Sequence, residues 1–270
     1  MMSGPTPAGG PSELFSRALD QLRRTLKSLA DEMRPIEPGW VVRTRSLPRV
    51  WTLNQLRICE PVTFVAAIAL ADRHQADLPY RHVVVESEAT SRQLEGAFVA
   101  AGWHVDCEVL MALAGRSDRE VDTRAVIELS EAQMLELMRR WTIEEHPAIG
   151  TGLEELEEYS RREGRLWNEQ CFGILDADGA PAAITKLRSD GATAWVEDVY
   201  TVPEARGHGY ARALVTHATA LARAAEPDLI FIIADDNDWP KHLYADIGFR
   251  PIGTTRTFHR DLAAASRRTL

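Results

Sequence analysis

The order of apolar patterns along this chain predicts an α/β (α+β) fold, a mixed and mostly antiparallel sheet flanked by helices. Three observations carry that expectation. Short runs rich in β formers alternate with stretches of helical periodicity. Tight-turn signals, DADG at 176–179 and SDG at 189–191, join neighbouring runs as they do in antiparallel hairpins. The order β-α-α-β-β-β-α-β-α-β in the second half leaves helices to cover both faces of one sheet.

Composition sets the outer limits. The 270 residues are 45% hydrophobic and 26% charged, which excludes collagen-like, disordered and disulfide-scaffold classes. No apolar run approaches the roughly 18 residues of a membrane span; the longest, near Val62–Ala71, runs directly into Asp72, Arg73 and His74. Met1–Ser12 is rich in Gly, Pro and Ser without a basic start or apolar core, so it reads as a loose tail and not a signal peptide. Three widely spaced cysteines, Cys59, Cys107 and Cys171, form no disulfide framework and suit a reducing cytoplasm. Residues 1–119 hold 14 basic and 14 acidic side chains; residues 120–270 hold 17 basic and 26 acidic, and so carry the whole net charge of −9. Such a surface repels phosphate backbones and argues against nucleic acid as a partner.

Element by element, Ser12–Arg34 has apolar residues at helical spacing and stops at Pro35. After the turn Glu37-Pro38-Gly39, Val41–Ile58 reads as two strands broken by Pro48. Val62–Asp77 is helical, Arg81–Ser87 a buried strand, and Thr90 with Gln93 a capping box opening a helix that Gly102 ends. His104–Leu110 is another strand. The small polar segment Ala114–Arg119 is the expected boundary between a domain of 1–119 and a domain of 120–270. The second domain restarts with a strand at Arg124–Leu129. A second capping box, Ser130 with Gln133, opens a helix to Glu145 before Pro147, and Gly152–Arg162 is a strongly acidic helix. Strands follow at Cys171–Asp176, Ala182–Ser189 and Ala192–Thr201, then a helix Gly207–Ala225, a strand Leu229–Ala234, a helix Trp239–Ile247 and a strand Ile252–His259. A faint internal repeat aligns Phe98 with Tyr244 and Gly102-Trp103 with Gly248-Phe249. Any β-α-β unit that closes its helix with glycine would share this much, so duplication and coincidence both stand.

The segment with most chemistry is Glu197–Arg212, EDVYTVPEARGHGYAR. A strand runs into Pro203, and Arg206-Gly207-His208-Gly209-Tyr210-Ala211 then opens an amphipathic helix. Two glycines two apart free the backbone for a close approach. The unpaired amides of a first helical turn, with the helix dipole, make an anion site suited to a pyrophosphate. A dinucleotide fingerprint would need a third glycine where Arg212 stands, and no Lys-Ser/Thr pair follows to make a P-loop. Glycines that merely shape a strand-to-helix turn are the plain structural alternative.

At these residues the sequence resembles the GNAT family of acyl-coenzyme A-dependent N-acyltransferases. Arg206–Ala211 is similar to that family's Arg/Gln-x-x-Gly-x-Gly/Ala loop. Asn237, Tyr244 and Gly248-Phe249 are similar to its Asn…Leu-Tyr…Gly-Phe segment. The resemblance covers roughly the last 140 residues; residues 1–119 look like a degenerate half of the same fold without a cofactor site. It implies a co-substrate, acetyl-coenzyme A, with its pyrophosphate on Arg206, Gly207, His208, Gly209, Tyr210, Ala211 and Arg212 and its pantetheine arm on the strand amides of Val199 and Thr201. Asn237 is implied as a further coenzyme contact. Thr201 stands where the family usually has Val, a change that leaves a backbone contact intact. Glu197, in a Glu-Asp segment resembling that of diamine acetyltransferases, is implied as the base, with Asp198 the alternative, and Tyr244 as the acid for the leaving thiolate. Adjacent strand residues point to opposite faces, so only one of Glu197 and Asp198 is expected to line a cleft.

The chemistry suits those types. An amine arrives as an ammonium and must lose a proton, a phenol near pKa 10 can protonate a thiolate, and strand amides polarise a thioester carbonyl. The expected function is therefore transfer of an acetyl group to a primary amine on a small molecule or peptide, in the cytoplasm, without metal, nucleic acid or membrane; a homodimer stays open. An inactive acyl-coenzyme A-binding sensor is the first alternative, and a nucleotide- or sugar-phosphate binder the second. No G-x-S-x-G, H-E-x-x-H or C-x-x-C supports hydrolase or zinc chemistry. His104 and Cys107 read as structural, Trp167, Trp195 and Trp239 as packing. The acidic run Glu154, Glu155, Glu157, Glu158 reads as a solvated face; the family resemblance implies a place beside the acceptor cleft, where it would select cationic acceptors.

Overall fold

A computed structural model describes residues 9–145 and 152–262. The expectations for residues 1–8 of the tail and for Pro147 lie outside the described residues. The fold is the mixed α/β class, strands in a mostly antiparallel sheet with helices packed on them. Among the described residues no helix is long and apolar enough to cross a membrane. The chain divides into two compact units, one of residues 1–18, 110–234 and 238–252, the other of 19–109, 235–237 and 253–270.

The second of these opens, after helix α1 (Pro11–Leu29), with an antiparallel meander of β1 (Glu32–Ile36), β2 (Gly39–Arg43) and β3 (Leu56–Ile58). Helix α2 (Phe64–His74) leads to β4 (Tyr80–Val85), parallel to β3, and α3 (Glu88–Ala100) leads to β5 (His104–Leu113). The expected first helix therefore ends five residues early. Residues 32–36 pair across the Glu37–Pro38 turn instead, and Pro35 is tolerated there because β1 is an edge strand. The capping box at Thr90 and Gln93 is also corrected. Ser87 is the N-cap, its hydroxyl accepting the Thr90 amide at 3.3 Å, and Thr90 lies inside the first turn. The core of this unit is Val41, Leu56, Ile58, Ala67, Ala71, Val83, Val85, Leu94, Phe98, Trp103 and Phe258.

The other unit repeats the same order. After β6 (Ile127–Glu128), α4 (Glu131–Glu145) and α5 (Gly152–Glu163) come an antiparallel meander of β7 (Gln170–Leu175), β8 (Pro181–Ser189) and β9 (Thr193–Thr201). Helix α6 (Tyr210–Ala224), the parallel strand β10 (Leu229–Asp235), helix α7 (Pro240–Ile247) and β11 (Phe249–Asp261) follow. The strand expected over 124–129 shrinks to two residues because Arg124 sits in a turn, forked onto Asp122. The Ser130–Gln133 box forms as expected, with Ser130 N donating to Gln133 Oε1 at 3.1 Å and Gln133 N to Ser130 Oγ at 3.4 Å. Leu129, Met134, Leu137, Ala182, Ile184, Tyr200, Val202 and Ala205 close the core over α4.

Candidate active site

Strand β9 parts from β10 half-way along. Their parallel register runs from Thr193 opposite Leu229 to Val196 opposite Ile232, whereas pairing with β8 continues to Thr201. The Val202 amide donates to Ala182 O of β8 at 2.9 Å. Amide direction alternates along a strand, so the amides of Thr201 and Val199 face the edge that β10 has left. The register also slips at this point. Ile184 opposes Tyr200 and Lys186 opposes Glu197, so Thr185 faces two residues, Asp198 and Val199. This is a β-bulge, and Asp198 takes the left-handed φ of 52°.

The bulge corrects one expectation. Lys186 and Arg188, two apart on β8, share a face. Asp198 Oδ2 lies 2.7 Å from Lys186 Nζ and Glu197 Oε1 pairs with Arg188 Nη1. Both carboxylates therefore stand on one side. Arg188 is 1% exposed and Lys186 fully buried, with the guanidinium 5.3 Å above the Trp195 ring. Its Nε donates to Glu169 Oε2 at 2.6 Å, and Nη1 and Nη2 reach Glu163 Oε1 and Oε2 at 3.1 and 3.0 Å. The Tyr159 hydroxyl donates to Glu163 in turn. Burial drives Glu197 well above the usual carboxylate range, with neighbouring carboxylates adding to it against the Arg188 charge. Asp198 is half-buried, and against that desolvation the Lys186 ammonium holds it below that range.

Beyond β9, a 3-10 turn at Pro203–Ala205 leads to Arg206 and two left-handed glycines, Gly207 (φ 83°) and Gly209 (φ 80°). A Cβ on either would meet nothing within 4 Å, so glycine is required for backbone conformation, not for space. Those conformations also delay α6 to Tyr210, three residues after its expected start. Gly209 is the N-cap and brings no side chain to bond the first-turn amides of α6, which leaves them open to an anion. Arg206 folds back, Nε donating to Thr201 O at 3.1 Å and Nη2 to Glu144 Oε1 at 2.6 Å. His208 Nδ1 lies 3.1 Å from Arg206 O, Tyr210 opens the helix with Ala211 behind it, and Arg212 pairs with Asp118 and Asp246 at 2.8 Å each.

Tyr244, on α7, is 5% exposed and meets Phe249 edge-on with ring centres 6.4 Å apart. Its hydroxyl has no hydrogen-bond partner among the described residues, and burial raises its pKa. Asn237 belongs to the unit of residues 19–109; its amide donates to Asp235 Oδ1 at 2.7 Å and the helix N-cap is Trp239.

Residues 133–249 match the acetyltransferase (GNAT) family. They form a GNAT domain. Two solved structures share the fold over nearly the whole chain. One is a functionally unknown conserved protein from Staphylococcus epidermidis (12% identity, 86% of this chain and 94% of that one, TM-score 0.65). The other is a GCN5-related N-acetyltransferase from Kribbella flavida (17% identity, 93% and 96%, TM-score 0.60). A search of curated proteins by sequence finds no match.

All the residues expected to act, Glu197 through Tyr244, lie inside the stretch that matches the GNAT family. Sequence reasoning missed Lys186, Arg188, Glu163 and Glu169 in this GNAT domain. In KLRS, charges alternating with other residues read as a solvated strand face, and nothing local marks them as buried. On α5, Glu157 and Glu158 are tied to Arg139, Arg161 and Arg162, so much of that helix's charge is answered. Trp195 stacks on Phe231 as packing, whereas Trp239 is 63% exposed.

Proposed function

We propose that this chain transfers an acetyl group from acetyl-coenzyme A directly to a primary amine, with Glu197 as base and Tyr244 as acid. GNAT membership implies acyl transfer from an acyl-coenzyme A; the acetyl group, the amine and the residue roles are the further step. The observation that carries it is the union, within residues 193–212, of a splayed strand edge, a bulge bearing two carboxylates and an uncapped helix start. The open amides of Val199 and Thr201 suit the pantetheine arm and the thioester carbonyl. The turn from Gly207 to Arg212 suits the diphosphate, with Arg206 as a further contact.

Glu197 and Asp198 divide the acid–base work. Asp198, held ionised by Lys186, is a poor proton acceptor near neutral pH. Glu197, pushed up by burial, takes the ammonium proton and leaves a lone pair on nitrogen for the attack. Tyr244 then gives its hydroxyl proton to the departing sulfur. Residues 1–119 serve as a degenerate half of the fold without a coenzyme site. Thr63 caps α2 there, its hydroxyl accepting the Ala66 amide at 3.3 Å, so the helix start that would meet a phosphate is already engaged.

The test is thiol release from acetyl-coenzyme A across a panel of primary amines. Turnover is expected, with Glu197→Gln lowering kcat/KM by about 10²-fold or more and removing the acidic limb of the pH profile. Tyr244→Phe is expected to lower kcat while calorimetric coenzyme affinity stays unchanged. Coenzyme binding with no turnover on any amine would replace this reading by that of an acyl-coenzyme A sensor.

A further inference from the structure

The Arg188 guanidinium is shared unequally. Its Nε is taken by Glu169 at 2.6 Å. Nη1 donates to Glu163 Oε1 at 3.1 Å, and Nη2 lies 3.0 Å from Glu163 Oε2 as an ion pair without a hydrogen bond. Glu197 reaches it through one oxygen, on the same Nη1 that Glu163 uses. Glu197 is also the most exposed of the three, at 13% against 6% for Glu163 and 5% for Glu169. A buried arginine with a single carboxylate would lock it as an anion. Here two other carboxylates already answer the positive charge.

We propose that Glu163 and Glu169 are positioning residues for Glu197: by holding Arg188 between them they orient the Glu197 carboxylate yet leave it free to receive the substrate proton. This rests on Glu197 being the base. The charged and titratable groups around Glu197 are Arg188 and Lys186 on β8, Asp198 beside it on β9, Tyr159 and Glu163 on α5, and Glu169 in the segment before β7. Removing one of the two supporting charges turns Arg188 toward Glu197 and makes the proton harder to accept. Neither variant touches the acetyl donor, so coenzyme affinity holds.

The experiment is the pH dependence of kcat/KM for wild type, Glu169→Gln, Glu163→Gln and Glu169→Asp, with coenzyme affinity measured by calorimetry. In each Gln variant the acidic limb is expected to move down by about one pH unit, and Glu169→Asp, which keeps the charge, is expected to restore most of the wild-type position. A Gln variant that loses rate with an unmoved limb would overturn the inference, because a purely structural role lowers activity at every pH. Should Glu163→Gln fail to fold, Glu169→Gln, outside any helix, carries the test. The base assignment is read separately: a wild-type limb that persists in Glu197→Gln removes the base role itself.

Discussion

At the residue scale, the decisive feature is the left-handed φ of 52° at Asp198. Aspartate tolerates that region better than most side chains, and the bulge it makes brings Glu197 and Asp198 to one face. Burying Glu197, and setting it beside other carboxylates, has a stability consequence. Its folded pKa is raised above the ordinary 4.5, so the ionised form is disfavoured by folding at pH above the folded value. Below about 4.5 the carboxyl is neutral in both states and the penalty vanishes. Glu197→Gln, permanently neutral, is therefore expected to melt a few degrees above wild type at pH 8. The advantage should shrink as the pH falls, in parallel calorimetric scans. Gly209 carries a second residue-scale prediction. Alanine at φ 80° costs about 1–2 kcal/mol, and since its Cβ would touch nothing the loss is conformational. Gly209→Ala is expected to weaken coenzyme binding in calorimetry while leaving helix content by circular dichroism unchanged.

Among elements, the two capping boxes show where local sequence suffices. Ser130 and Gln133 satisfy each other as their spacing predicts. Ser130→Ala is expected to cost about 1 kcal/mol in denaturant titration and to leave kcat/KM unchanged, since Ser130 meets no residue of the site. Thr90 and Gln93 have the same spacing, yet Ser87 takes the cap. Strand β4 ends at Val85, and its buried successor Glu86 fixes where the chain turns. Helix periodicity does not distinguish a start at 88 from one at 90; the ion pairs of Glu86 do. Strand β8 teaches the converse: its alternating charges promise a wet face, but α5, the segment before β7 and strand β9 each bring a glutamate to it.

On the scale of the whole molecule, the same path occurs twice: meander, helix, parallel strand, helix, strand. Each unit also receives a strand from the other half of the sequence. In the unit of residues 19–109, residues 253–261 of β11 lie between β4 and β5; in the other, residues 110–113 of β5 lie between β11 and β10. The glycine turns that close α3 and α7 correspond, Gly102 at φ 77° and Gly248 at φ 116°, with Phe98 edge-on to Trp103 as Tyr244 is to Phe249. In the unit of residues 19–109 the buried node is Glu86, paired with Arg23 and Arg57. The two guanidiniums hold its carboxyl below 4.5, so its contribution is complete above that pH and is lost as the pH falls through the folded value. Glu86→Gln is expected to cost about 3–5 kcal/mol at pH 7 and to flatten the acid-induced fall in melting temperature.

By itself the sequence determined what depends on neighbours along the chain: most strands and helices, the glycine turn before α6, the Ser130 cap, and the family to which residues 133–249 belong. Those features rest on periodicity, caps and backbone conformation, which a few adjacent residues set. The tertiary structure alone decided which charges meet. Arg188 finds Glu163, Glu169 and Glu197 at separations of 25, 19 and 9 residues, and the bulge that aims Glu197 is visible only in its register against β8. Burial removes water from those groups at the same moment as it brings them together, and no local pattern records that event.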